Sequence, residues 1–214
     1  MSKNTVHYQA GAKELLVRLF GRELTDEEIA TAAGALDGAM LDVRPKKYQG
    51  GMELFVDIQD AQWIEAQQRG FRRDADGRLY IWNHRFKKKK DAAKGLGLKS
   101  VVRQIVAARQ LGIERIEMFA LGDANDPEYN GYYRWAVYGY DAKLTLREQS
   151  LLRLDPDLLG AQTVNDVMRR NGKMWWRTQG SARKMIFDLS RESSMMDILR
   201  GYLQDKPDLL KELI

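Results

Sequence analysis

The sequence predicts an α+β chain: a mixed, mostly antiparallel central sheet flanked by helices, followed by a helical C-terminal extension. Three observations carry this. Residues 8–36 show helical spacing with a capping signal, residues 39–90 switch to short strand-type runs, and a glycine loop then opens an amphipathic helix that leads into one more strand.

The first segment predicts helices over 8–20 and 26–35. The second opens with Thr25-Asp26-Glu27-Glu28, where Thr25 caps the helix and Glu28 reaches back to complete a capping box. Strand-type runs follow at 39–48, 51–58, 62–73 and 78–86. The last two flank Asp76-Gly77, a turn that joins them as a hairpin whose second strand ends in four lysines, Lys87 to Lys90. Beyond the glycine loop, Val101, Val102, Ile105, Val106, Ala108 and Leu111 recur at helical spacing, and Gly112 ends that helix. Residues 113–120 alternate as a strand, 121–130 read as a polar loop, and an aromatic segment precedes a helix-rich C-terminal third. A last helix is expected near 195–203, with Ser194 and Asp197 as its capping pair.

The composition bounds the chemistry. The chain has 214 residues, 44% of them hydrophobic and 30% charged, and no apolar run nears the ~20 residues that a membrane-spanning helix needs. An N-terminus without a signal peptide's apolar core predicts an intracellular protein. Zero cysteines exclude disulfides and thiolate chemistry, and two histidines, His7 and His84, leave little for a histidine metal cluster. The formal charge of +5 favours an anionic partner, and positive charge is densest from Arg85 to Lys90, with Lys94 and Lys99 beyond. Nucleic acid is therefore one expected partner, although neither an aromatic-rich RNA motif nor helix-turn-helix spacing accompanies the lysines.

Lys94-Gly95-Leu96-Gly97-Leu98-Lys99-Ser100 has the look of a phosphate loop. It is not a Walker A loop, because Leu98 separates Gly97 from Lys99. A dinucleotide fingerprint would place a third glycine where Ser100 stands.

The loop and its setting resemble the GNAT acyltransferase superfamily, whose pyrophosphate loop reads Gln/Arg-x-x-Gly-x-Gly/Ala. Gly95 and Gly97 match the two small positions, while Ala92 departs from the Gln/Arg position. A second block, residues 129–142, is similar to the superfamily's Asn-x-x-Ala…Tyr-x-x-x-Gly-Phe region, with Gly139-Tyr140 at the Gly-Phe pair. Closer still is a GNAT-like group among phage and prophage proteins, which shares the aromatic block and a downstream segment that here reads Trp175-Trp176, Gly180 and Phe187-Asp188-Leu189.

The resemblance implies a three-layer core over residues 1–145, a mostly helical extension over 146–214, and coenzyme A, as acetyl-CoA, held by Lys94, Gly95, Leu96, Gly97, Leu98, Lys99 and Ser100. It implies acyl transfer to an amine of a small molecule or protein in the host cytoplasm. The alternative is a catalytically silent, virion-associated protein that contacts phage structural proteins through Trp175, Trp176, Met185, Met195 and Met196. Transfer needs an acid for the departing thiolate and a base for the acceptor. The superfamily's acid tyrosine falls on Trp135, leaving Tyr132, Tyr133 or Tyr138 for that role; base candidates are Glu117, Glu53, Asp57 and His84.

Overall fold

The computed structural model describes residues 3–60, 62–126, 129–190 and 192–214. In chain order it contains β1 (Thr5–Tyr8), α1 (Ala12–Phe20), α2 (Asp26–Ala32), β2 (Met40–Tyr48), β3 (Gly51–Asp60), β4 (Ile64–Arg73), β5 (Leu79–Lys88) and α3 (Leu96–Gln110). There follow β6 (Arg115–Asp123), α4 (Gly131–Val137), α5 (Leu146–Leu152), α6 (Val164–Arg169), α7 (Lys173–Gln179), β7 (Ser181–Asp188), α8 (Ser194–Tyr202) and α9 (Pro207–Leu213). The class is α+β. Two compact units result, one of residues 1–116 with 208–214 and the other of residues 117–207, so the 145/146 boundary expected from the sequence falls inside the second unit.

In the first unit β1 to β5 lie in sequence order, β1 parallel to β2 and the other pairs antiparallel, which makes the sheet mixed. Side chains alternate across it. One face carries Leu41, Val43, Leu54, Val56, Phe71 and Ile81, all buried. Helix α1 covers that face with Ala12, Leu15, Leu16 and Leu19, and Phe20 meets Phe71 edge-on at 5.7 Å. Helix α3 lies on the same face: Gln104 Nε2 donates to Asn83 Oδ1 at 3.1 Å, and Asn83 Nδ2 returns a bond to Gln104 Oε1 at 3.0 Å.

The capping box of α2 is present. Glu28 N donates to Thr25 Oγ1 at 3.2 Å and Thr25 N donates to Glu28 Oε2 at 2.7 Å. Thr25→Ala is expected to cost about 1 kcal/mol of stability, measured as a shift of the urea midpoint at unchanged slope. The β4–β5 turn is also as expected. Asp74 Oδ1 accepts from the amides of Asp76 (3.0 Å) and Arg78 (2.9 Å), and Gly77 takes a φ of 80° that a side chain would strain.

Three expectations need correction. The first helix does not start at Tyr8: Thr5–Tyr8 form the edge strand β1, and Gly11, left-handed at φ 77°, turns the chain into α1. The C-terminal third is mostly helical as expected, with one strand in it: residues 181–188 form β7 once Gly180 has ended α7. Ser193, not Ser194, caps α8, its hydroxyl accepting from the Met195 amide at 3.2 Å. The polar loop expected over 121–130 begins only after Asp123, where β6 ends, and its residues 127 and 128 lie outside the described residues.

The second unit is built on the aromatic segments. Tyr140 packs against Trp135 and Phe187, each at 5.1 Å between rings. Trp176, fully buried, donates its indole N–H to the Tyr132 carbonyl at 3.1 Å. Gly139, at φ 94°, has the Met195 carbonyl where a Cβ would stand. The Asp141 and Ile186 backbones exchange hydrogen bonds of 2.8 and 2.9 Å, tying the chain after α4 to β7.

Candidate functional site

Two features of the first unit have the makings of a site. One is the N-terminus of α3. Gly95 takes φ 89° at the N-cap with no side-chain cap, and the first intrahelical bond runs from Lys99 N to Gly95 O at 2.9 Å. The amides of Leu96, Gly97 and Leu98 therefore have no intrahelical acceptor, and the positive end of a 15-residue helix lies there. Lys94 and Gly95 are exposed, and Leu96, Gly97 and Lys99 are half-buried.

The two glycines do different work. A Cβ on Gly95 would touch nothing, so Gly95 serves its left-handed turn; one on Gly97 would meet Phe86 Cε1 at 3.3 Å, so Gly97 lets the helix approach β5. The rest of the expected ligand set divides the same way. Leu98 is in the core. The Ser100 hydroxyl donates to the Gly34 carbonyl at 2.6 Å and accepts from Gln67 Nε2 at 3.2 Å, both bonds buried. The side chains of Leu98 and Ser100 thus anchor α3 to the sheet, and what the loop offers a ligand is backbone amides and lysines.

The other feature occupies the sheet face opposite α1 and α3. Glu53 is fully buried, and its Oε2 accepts from Arg72 Nε at 2.6 Å. His84 Nε2 lies 3.0 and 3.1 Å from the two Glu53 oxygens, and Lys46 Nζ lies 3.9 Å away. With both carboxylate oxygens so close, His84 Nε2 is the protonated nitrogen, and Arg72 Nη2 at 3.3 Å is its neighbour rather than its donor. Burial pushes the Glu53 carboxyl up, but the hydrogen bonds from His84 and Arg72 outweigh it and hold the group below the usual carboxylate range.

Two backbone features allow this cluster. Gly70 lies beneath the carboxylate, where any Cβ would overlap Glu53 Oε2. Pairing along β4 and β5 shifts from Arg69↔Asn83 to Gln68↔Arg85, which makes His84 the extra residue of a bulge. Aromatic rings wall the cluster: Phe55 is 5.2 Å from the His84 ring, and the Arg72 guanidinium stacks on Tyr48 at 4.1 Å and Trp82 at 5.2 Å. His84 and Glu53 are readable from the sequence as isolated candidates; Arg72, Lys46 and Gly70 are not, because only the strand register brings them to the carboxylate.

The remaining candidates are in the second unit. Tyr132 is buried, and its hydroxyl donates to the Arg177 carbonyl at 2.6 Å; burial raises its pKa, so as a proton donor it is already committed to a structural bond. Tyr133 is half-buried between the Tyr132 ring at 6.5 Å and the Arg177 guanidinium at 5.9 Å. Tyr138 packs against Trp135 and Tyr202. Glu117 is buried and ion-paired with Lys184 at 2.6 Å. Of the residues expected at a partner surface, Trp176, Met185 and Met196 are fully buried, and Trp175 and Met195 are half-buried.

Among the described residues no group of three His, Asp or Glu side chains could hold a metal ion, and no helix is long and apolar enough to cross a membrane. Compared with protein-family models and with curated proteins, the chain matches none.

Proposed function

We propose that this chain binds coenzyme A at the N-terminus of α3 and transfers its acyl group to an amine. The observation that carries the reading is the uncapped helix start: a left-handed Gly95, unpaired amides at 96–98, and Lys94 exposed beside them. Such a terminus suits a pyrophosphate, since aligned amides and the helix dipole both favour an anion. The order of this loop and the aromatic block ending at Gly139-Tyr140 is the basis of the resemblance to the GNAT superfamily.

The residues fit the group through their backbone. The amides of Leu96, Gly97 and Leu98 would hold the pyrophosphate, with Lys94 and Lys99 supplying charge. Bound coenzyme A would supply the thioester-activated acyl group. Among the expected bases His84 keeps a lone pair, since Glu53 holds Nε2–H and Nδ1 has no hydrogen-bond partner among the described residues; it stands on the sheet face opposite α3, so its use as the base requires the acyl end of the cofactor to reach that face. Glu53, fixed by Arg72, would orient the ring and stabilise it when it takes a proton.

Calorimetric titration with acetyl-CoA tests the cofactor site. Gly97 is a poor position for a blocking substitution, since its replacement disturbs the packing on Phe86. Lys94→Glu is better, because Lys94 is exposed. Wild type is expected to bind with micromolar affinity and Lys94→Glu at least about tenfold more weakly, a loss of about 1.4 kcal/mol. No heat of binding at millimolar acetyl-CoA would overturn the reading.

A further inference from the structure

The protein's net charge is not spread over the chain. The first unit holds 22 Lys and Arg against 17 Asp and Glu, whereas the second holds 13 of each. Within the first unit, residues 85–99 alone carry seven Lys and Arg against one acid, Asp91. That segment is the end of β5, the following loop and the first turn of α3.

Elsewhere in this unit six arginines are neutralised where they stand. Arg22 pairs with Glu28, Arg44 with Asp42, Arg72 with Glu53, Arg78 with Asp74 and Asp76, Arg103 with Asp37, and Arg115 with Asp74. In the 85–99 segment Lys87 reaches Glu65 at 2.9 Å. Arg85, Lys88, Lys90 and Lys94 are exposed and form no ion pair among the described residues. Four uncompensated cations within ten residues repel one another, and that repulsion is relieved when an anionic polymer lies along them.

We propose that the segment from Arg85 to Lys94 binds the phosphate backbone of double-stranded nucleic acid without reading its sequence. Arg85 to Lys88 close β5 and span about 10 Å at roughly 3.3 Å per residue, and Lys90 and Lys94 follow in the loop, so these cations can meet several phosphates of a duplex at once. The segment's single aromatic ring, Phe86, is half-buried beside Gly97, so no base-stacking platform accompanies the charge. Specificity for sequence or for unpaired bases is therefore not expected. This inference does not rest on the coenzyme A reading: the two would share Lys94, but cofactor binding uses the amides at 96–98, whereas Arg85, Lys88 and Lys90 lie outside that loop.

The test is fluorescence anisotropy of a labelled 20-base-pair DNA duplex of arbitrary sequence, titrated with the full chain at 50 and 200 mM salt. Four phosphate contacts predict a slope of log affinity against log salt of about −3 to −4, and roughly hundredfold weaker binding at the higher salt. Arg85→Glu/Lys90→Glu is expected to weaken binding at least tenfold and to flatten the slope by about 2. Lys173→Glu, an exposed charge change in the other unit, should leave both unchanged. Unaltered acetyl-CoA titration of Arg85→Glu/Lys90→Glu would separate the two anion sites and check its fold. Absence of duplex binding at 50 mM salt, salt-independent binding, equal loss with Lys173→Glu, or binding to anionic lipid vesicles but not to DNA would each overturn the proposal.

Discussion

Glu53→Ala is expected to lower the stability of the first unit by about 3–5 kcal/mol, the range for removing one partner of a buried ion pair. The cost comes from what is left behind. Arg72, with 10% of its side chain exposed, would keep its charge without the 2.6 Å carboxylate partner, and His84 would lose the acceptor that fixes its ring. Gly70, whose missing Cβ makes room for the carboxylate, would face a void. Amide hydrogen exchange of β3 to β5 measures this loss in place, and Glu53→Gln should cost less because it keeps the shape.

The same group sets a pH dependence. The folded pKa of Glu53 lies below its unfolded value, so its contribution is present in full above the unfolded pKa, about 4.3, and is lost as pH falls through the folded value. The stability difference between wild type and Glu53→Gln should therefore shrink as pH falls below about 4.3. A difference that keeps growing as pH falls below about 4.3 would contradict the assignment of Glu53 as the charged partner.

Trp176→Ala is the other large effect, about 3–5 kcal/mol for a fully buried tryptophan in a core that cannot collapse around the gap. Three neighbours explain why it cannot. The indole N–H is bonded to the Tyr132 carbonyl at 3.1 Å, the Arg183 guanidinium stacks 4.7 Å from its ring, and Gly180 is so close that a Cβ there would lie 2.8 Å from the indole. Trp176→Phe keeps most of the volume and loses the hydrogen bond, so about 1–2 kcal/mol is expected. Trp175→Ala, at a half-buried position, should cost less than Trp176→Ala. Urea unfolding of the three variants ranks them, and a Trp176→Ala variant as stable as wild type would place this tryptophan outside the core.

These expectations show what the sequence could and could not reveal. Local signals were legible: the Thr25 and Glu28 capping box, the Asp-Gly turn, and the apolar stripe of α3 each depend on residues within a few positions of one another. Strand β1 was hidden because four residues alternate too briefly to compete with the helical pattern beside them, and only Gly11 marks the boundary. Strand β7 was hidden in a tail whose surroundings are helical, although Met185 and Phe187 alternate as its buried residues. The candidate site shows the same division. The glycine loop is contiguous and was readable, apart from the helix phase that turns Leu98 and Ser100 inward. The Glu53 cluster is assembled from β2, β3, β4 and β5, and its central pair depends on a bulge at His84 that no local residue pattern announces.

The central claim is that the amides opening α3 receive an anionic cofactor, and backbone amide resonances report on them directly. A titration of isotope-labelled protein with coenzyme A is expected to give saturable shifts concentrated at Leu96, Gly97 and Leu98, weakened in Lys94→Glu. Saturable shifts that leave these three amides unmoved, or no shift at millimolar coenzyme A, would contradict it.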